Sequence, residues 1–481
     1  MHESQLPRSC DRCYAIKERC IRSANSESCD RCARLNHECV LKRAVKRPGR
    51  RPKKTSATLS QRHDGVSQAS TVEGPERNEP SSILDRIVAG LELSSVESSL
   101  LRQSILSDSF VEQFIIGPTF CSIHREYIAK QLNDFPSTLG HAFIASAMSW
   151  GDDSDVTSPE PSSSNSNSDY FERMYHHATE AVATLRSLEP SNVQEMCLCL
   201  ALGATIMTFT LKLRVADARA ICRQTLEIVK PIYTSDGTLE NKTPDDLCFM
   251  SCLVLTDVAE SLMFCDPPTL RYRVISEAQY VDRYVGISHS FLPLLFDVAE
   301  LNFKMKAESG KPGGHPAAMI LCEKLHQDLE QQVLKWMPDV PVGFTDNFTS
   351  IEVAHMLCQA EAIRNGARLV LHRLKYGFGT HDKVAEAISS NILGLLKTTT
   401  AATGSIPRCT DFPLIVACLE LEGEGDRAHN LTSLSPISSY SSPFHDRTRA
   451  IFDATWEARR NHQSVYWYDL AAFIPDSSAG Y

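Results

Sequence analysis

Six cysteines near the start of the chain stand at spacings that suit a metal. They are Cys10, Cys13, Cys20, Cys29, Cys32 and Cys39, in the order C-x2-C-x6-C-x8-C-x2-C-x6-C. The halves repeat each other: Cys10-Asp11-Arg12-Cys13 and Cys29-Asp30-Arg31-Cys32 are each followed by six residues and a third cysteine. Zinc takes four soft ligands in a tetrahedron with Zn–S distances of about 2.3 Å. Two zinc ions therefore need eight ligand positions, and six thiolates fill them only if two sulfurs are shared, one from each half. Two Zn²⁺ and six thiolates leave two negative charges, with Arg12, Lys17, Arg19, Arg31 and Arg34 in the loops to offset them. Cysteines packed as small hydrophobes would not fall into a duplicated spacing. An iron–sulfur cluster uses other spacings, and a disulfide framework belongs to secreted chains.

The elements that position these residues begin with charge. Residues 1–54 carry 15 Lys and Arg against 6 Asp and Glu, whereas the whole 481-residue chain carries 49 against 59. The overall net charge of −10 thus divides into a head of +9 and a remainder of −19. A short basic head on an acidic body points to nucleic-acid contact at the head. Residues 1–41 form the cysteine module, and with few other apolar side chains it must draw much of its folding free energy from metal. Residues 42–82 read as a linker, basic first and then rich in Ser, Gln, Glu and Pro. That composition buries too little surface to fold and predicts disorder.

From residue 83 to 481 the periodicity is helical and predicts an all-α region. Cys322, Leu325, Leu329, Val333 and Trp336 recur at helical spacing ahead of Pro338. Val353, Leu357, Ala360, Ile363, Ala367, Val370 and Leu374 do the same. Ser-rich stretches at 151–169 and 428–445 read as exposed loops. The uncharged run Met196–Leu211 is shorter than the ~20 residues of a spanning helix and reads as a core helix, not a membrane segment. No apolar stretch opens the chain, so a secretory signal is not expected.

Over residues 9–40 the C-D-R-C…K…C…C-D-R-C…C frame resembles the fungal Zn2Cys6 binuclear-cluster transcription factors. The resemblance implies a small zinc-stabilised two-helix DNA-binding module in the nucleus, followed by the disordered linker and an all-α regulatory domain. It implies two zinc ions held by all six cysteines, with Cys10 and Cys29 at the bridging positions. It further implies a short helix after Cys10 whose end enters the major groove of double-stranded DNA, with Lys17 at the base-contacting position and Arg12 and Arg19 beside it. A lysine donor aimed at guanine O6 and N7 is a common specific contact, and the family's CGG-type triplets are the expected site. Ile16 stands where many members are basic, and the family's proline between the third and fourth cysteines is missing. The basic run that follows holds Lys46, Arg47, Arg50 and Arg51, kept extended by Pro48 and Gly49 and suited to phosphates or a narrow minor groove. It is similar to a degraded AT-hook, serves equally as a nuclear localisation signal, and resembles the tails of activators of mould secondary-metabolite gene clusters, such as the aflatoxin-pathway regulator.

No catalytic constellation emerges, so an enzyme is not expected. Gly310-Lys311-Pro312-Gly313-Gly314 lacks the preceding strand and the Ser/Thr of a phosphate loop. Asp152, Asp153 and Asp155 lack the Gly and Glu of a calcium loop. His355 with Cys358, and Cys197, Cys199, Cys248 and Cys252, read as core. The helical body would serve autoregulation, effector sensing or partner recruitment, and a helical effector-binding or scaffold protein whose zinc module mediates protein contacts is the alternative reading. The end of the chain, Tyr466-Trp467-Tyr468-Asp469-Leu470 with Phe473 and Asp476, suits either a coactivator-binding activation segment or a helix docked on the body. Leu84, Ile87, Leu91, Leu101 and Ile105 take heptad positions, but Ser94 and Ser98 occupy the central seam and Gly90 precedes them. Ile83, Val88, Leu93, Val96 and Leu100 place apolar surface off that seam, suited to packing into the body. A two-stranded coil needs an apolar seam over three to four heptads. Residues 1–110 alone are therefore expected to be largely monomeric and to bind a single triplet weakly. Sedimentation equilibrium of that fragment checks this, and a tight dimer would overturn it.

Overall fold

The computed structural model describes Cys10, Cys13, Cys20, residues 28–34, Cys39 and Val40 of the amino-terminal part. It also describes residues 93–474 except 107, 151–163, 214, 236, 238, 240–243, 275–279, 310–315, 422–424, 427–428, 431–441 and 462–464. The chain divides into two units, Met1–Pro75 and Glu76–Tyr481. In the first, the described residues include one short helix, α1 (Asp30–Arg34), and Cys13 is also helical. The helix expected between Cys10 and Cys20 otherwise lies outside the described residues.

The second unit is all-helical among the described residues, with two isolated bridges, Asp282 to Gly286 and Phe378 to Val465. Its helices are α2 (Ser95–Leu106), α3 (Asp108–Val111), α4 (Cys121–Asp134), α5 (Pro136–Trp150), α6 (Ser164–Ser187), α7 (Val193–Leu213), α8 (Val215–Tyr233) and α9 (Met250–Phe264). They continue with α10 (Leu292–Ser309), α11 (Pro316–Lys335), α12 (Phe344–Asn347), α13 (Ser350–Lys375), α14 (Asp382–Thr403), α15 (Asp411–Cys418) and α16 (Ser442–Asn461). A 3-10 turn, Trp467–Ala472, follows.

The apolar run at 196–211 forms most of α7, which extends through Glu195 and Lys212 to 21 residues. It is long and apolar enough to cross a membrane by composition alone, but 78% of its most apolar window is buried inside the body. It packs on α5, α6 and α8. The approach to α8 is close enough that a Cβ at Gly203 would overlap the Thr225 side chain, so glycine is what lets these two backbones meet.

α13 follows the expected stripe at Ala360, Ile363, Ala367, Val370 and Leu374, but Leu357 is 46% exposed. The buried face is wider than the apolar pattern and displaces Leu357 outward, because His355, Gln359, Asn365 and Arg373 are buried with hydrogen-bond partners. Both Ser-rich loops are shorter than their composition suggests. α6 already begins at Ser164 and α16 at Ser442, with Pro443 in its first turn. Tertiary burial of Met174, Ala178, Ala181 and Leu185 on α6 overrides the weak propensity of its first turn. In α16 the proline fits a position where no N–H is needed.

The carboxyl-terminal segment, described to residue 474, is docked on the helical body. Trp467 is 1% exposed, and its indole N–H donates to the Leu262 carbonyl at 2.8 Å. Tyr466 and Tyr468 stack, and Lys306 pairs with Asp469 at 2.8 Å. Asp476 lies outside the described residues.

The described part of the heptad region begins just before α2. Ser94 and Glu97 form a reciprocal capping box, with Ser94 N–H donating to Glu97 Oε2 at 2.8 Å and Glu97 N–H to Ser94 Oγ at 3.2 Å. Ser94 is thus a helix start and not a seam position. Leu101 is fully buried and Leu93 and Leu100 pack on the core, but Val96 is 56% exposed, against the expectation that it faces the body. Leu84, Ile87, Leu91, Ile83 and Val88 lie outside the described residues, as does the Ile105 side chain.

Glu97 itself ties α2 to α6. Arg173 donates to both carboxylate oxygens at 2.7 and 2.6 Å, and His177 Nε2 lies 3.2 Å away. Burial alone would raise this carboxyl, but Arg173, the Ser94 N–H and hydroxyl, and His177 outweigh it and hold the pKa at about 2. The folded value lies below the ordinary 4.5, so this contribution is complete above that pH and is lost as pH falls toward about 2. Urea unfolding at about pH 5 and about pH 3 should show the wild type losing on the order of 2 kcal/mol more than Glu97→Gln between the two. Equal losses would remove Glu97 as the cause.

Candidate metal centre

The six amino-terminal cysteines come together as a cluster. Cys10, Cys13, Cys29 and Cys32 are buried, while Cys20 and Cys39 are half-buried at its edge. Their sulfurs form two groups of four, each with all members within 4.8 Å: Cys10, Cys13, Cys20 and Cys29, and Cys10, Cys29, Cys32 and Cys39. Cys10 and Cys29 belong to both groups. Sulfur separations are 3.9 Å for Cys10–Cys29 and 3.8 Å for both Cys10–Cys32 and Cys13–Cys29. A tetrahedron of sulfurs about 2.3 Å from its centre has edges of roughly 3.8 Å. Donor set and spacing therefore fit a tetrahedral metal, and each group could hold one ion.

The cluster also carries the symmetry of its sequence repeat. Exchanging Cys10 with Cys29, Cys13 with Cys32 and Cys20 with Cys39 turns the Cys10–Cys32 contact into Cys29–Cys13. It also maps one backbone hydrogen bond onto another: Cys10 N–H donates to Cys20 Sγ at 3.3 Å, and Cys29 N–H to Cys39 Sγ at 3.3 Å. Electrostatics single out the same two shared residues. The Cys32 N–H, helped by thiols of Cys32, Cys13 and Cys20, outweighs burial and brings the Cys29 thiol down to about 6. Burial raises Cys10, yet the Cys13 N–H and the neighbouring thiols more than offset it, and its pKa is lowered. Burial pushes Cys32 up to about 12, and Cys13 is raised for the same reason. The two thiols common to both groups are thus the lowered ones, while Cys13, Cys20 and Cys32 are raised.

Residues expected to face DNA are not among those described: Arg12, Lys17, Arg19, Lys46, Arg47, Arg50 and Arg51 all lie outside them. Arg34 is described and exposed. The weaker motifs resolve as packing where they are described. His355 and Cys358 are buried in α13, with His355 Nε2 against Thr403 Oγ1 at 3.0 Å. Cys197, Cys199 and Cys248 are core thiols, and burial pushes Cys199 and Cys248 up to about 12. Asp152, Asp153, Asp155 and residues 310–314 lie outside the described residues. Among the described residues no cysteine is joined in a disulfide.

The helical unit gives independent information, because it lies apart in sequence from the cysteines. Residues 130–473 match the model of the fungal specific transcription factor domain. The chain belongs to that family. No curated protein and no solved structure matches the chain. The family is one of transcription regulators, and its domain covers α5 to α16, the closing 3-10 turn and the last turn of α4. α2 and α3 precede the matched region, yet α2 is bolted to α6 through Glu97. Sequence reasoning missed that bolt. Its partners are 76 and 80 residues apart, and only the Ser94-x-x-Glu97 capping pattern gave a local sign of it.

Replacing a shared sulfur should differ from replacing an unshared one. Cys10→Ser or Cys29→Ser is expected to remove bound metal from both groups, and Cys39→Ser from one. Native mass spectrometry of the variants reads this directly, and equal losses from all three would contradict the sharing.

Proposed function

We propose that this protein is a sequence-specific DNA-binding transcription regulator whose head is a two-zinc cluster. The observation that carries the proposal is the pair of sulfur tetrads sharing Cys10 and Cys29, on a chain whose body belongs to a transcription-factor family. All six cysteines are the ligands: Cys13 and Cys20 complete one tetrahedron, Cys32 and Cys39 the other. Zinc, when bound, cross-links a segment that has little hydrophobic core and so fixes its fold.

Within that head, Lys17 is the base-reading residue, with Arg12 and Arg19 beside it. Lys46, Arg47, Arg50 and Arg51 hold the phosphate backbone, so they add affinity without sequence information. CGG-type triplets are the proposed site, the nucleus the place of action, and activation of a secondary-metabolite gene cluster the biological role. The domain order is a cysteine module over 1–41, a linker over 42–82 and a helical regulatory region over 83–481. The excess positive charge of residues 1–54 supports this reading.

Binding of the protein to CGG-containing and scrambled duplexes across a salt series tests the reading. Lys17→Ala should relax the base preference at a cost of roughly 1–3 kcal/mol. Neutralising Arg50 and Arg51 should weaken binding to every sequence and flatten the salt dependence. A zinc head serving protein contacts alone would show neither effect.

A further inference from the structure

The helical unit contains a cavity of about 250 Å³ bordered by α2 to α5, α7, α9, α15 and α16. That volume lies between the ~150 Å³ that admits benzene and the ~300 Å³ at the low end of drug-sized pockets, which is room for a small bicyclic molecule. Part of its wall is an aromatic corner. Phe110, Phe114 and Trp150 meet edge to face, with ring centroids 5.2, 6.4 and 5.1 Å apart.

The hydroxyl groups on the wall keep accepting capacity. The Trp150 indole can only donate, and His124, whose Nδ1 accepts from Arg283 Nη1 at 3.4 Å, carries its proton on Nε2. The Thr205, Thr208 and Thr256 hydroxyls donate to the carbonyls of Ala201, Ala204 and Cys252 at 2.8, 2.9 and 2.9 Å. Each hydroxyl has one proton to give, so what remains is oxygen lone pairs. The Cys252 thiol is likewise spent on the Phe249 carbonyl at 3.1 Å. Glu260, paired with Arg447 at 2.8 Å, and Asp411 also line the cavity, and among the described residues its lining includes no lysine or arginine to meet a ligand carboxylate. Among the described residues the buried Tyr284 hydroxyl has no nitrogen or oxygen partner; it interacts with the Cys248 thiol, a weakly bonding group.

We propose that this cavity binds a small uncharged ring compound bearing hydroxyl groups, of the phenol class, whose O–H groups are accepted by the threonine oxygens and Tyr284. An apolar body fits the walls, a donor answers the unspent lone pairs, and a negative charge would find no cation on the described lining. Leu101, Phe110, Val111 and Phe114 lie ahead of the family-matched residues 130–473. A ligand there adds contacts between α2–α3 and the domain behind them. The proposal does not rest on the DNA-binding reading, and failure of one leaves the other standing.

Titration of the full chain with naphthol, methoxynaphthalene and naphthoate, read by calorimetry and by tryptophan fluorescence, tests it. Naphthol should bind saturably and raise the melting temperature. Methoxynaphthalene, which lacks the donor, should bind about 5–10-fold more weakly, and naphthoate should not bind. Thr256→Val and Thr208→Val keep the shape but remove an acceptor; naphthol has one O–H to give, so one of the two should weaken it about 5–10-fold while leaving methoxynaphthalene unchanged. Absence of saturable naphthol binding, equal binding of all three probes, or valine variants without effect would each overturn the proposal. The probe series on the wild-type chain decides even if a variant fails to fold.

Discussion

Two sulfur atoms, those of Cys10 and Cys29, are the constraint on which the head of this protein depends. Each lies in both tetrads, so neither half of the cysteine repeat can form its site without the other. A pair of independent four-cysteine sites would need eight cysteines and could fold one at a time. Six with two shared make the halves obligatory partners, and the local symmetry follows from that economy. The lowered thiols at Cys10 and Cys29 belong to the same arrangement, since backbone and thiol hydrogen bonds converge on the two positions where negative charge is most useful.

The cluster was legible in the sequence because its information is local. Six residue types at fixed spacings over about 30 positions specify a donor count, and donor count with ligand geometry specifies sharing. Long apolar helices were legible for a similar reason: α7, α11 and α13 advertise themselves by period and length. What escaped was set by contacts between distant segments. Leu357 follows the helical period yet faces outward, because buried His355, Gln359 and Arg373 widen the inward face for reasons that lie on other helices. The start of α6 has loop composition and is helical because of what lies further along the same helix. The cavity could not be read at all, since its walls come from residues spread between 101 and 444.

Polar groups inside the body are concentrated at joints between elements. Glu97 bolts α2 to α6, and Glu352 both caps α13 and accepts from the Thr119 N–H and hydroxyl at 2.9 and 2.7 Å. Arg373 reaches Glu420 through two hydrogen bonds of 2.8 and 2.6 Å and Asp382 at 2.7 Å. Such buried charges contribute little net stability compared with apolar packing, but breaking one partner is costly. Their effect is to fix which helix meets which, a requirement that a core of interchangeable aliphatic side chains leaves loose.

The docked carboxyl end has a consequence for how the chain comes into being. Trp467 bonds to Leu262 across 205 residues, Arg447 reaches Glu260 across 187, and Lys306 reaches Asp469 across 163. While the polypeptide is still on the ribosome, α9 and α10 keep an uncovered apolar flank until Trp467–Ala472 has emerged. The body therefore completes itself only after synthesis has passed Trp467, and its late, long-range closure favours slow maturation. The cysteine module has no such dependence, because its ligands span about 30 residues and are available early. A nascent chain would thus have all the ligands of its head long before it has all the contacts of its body.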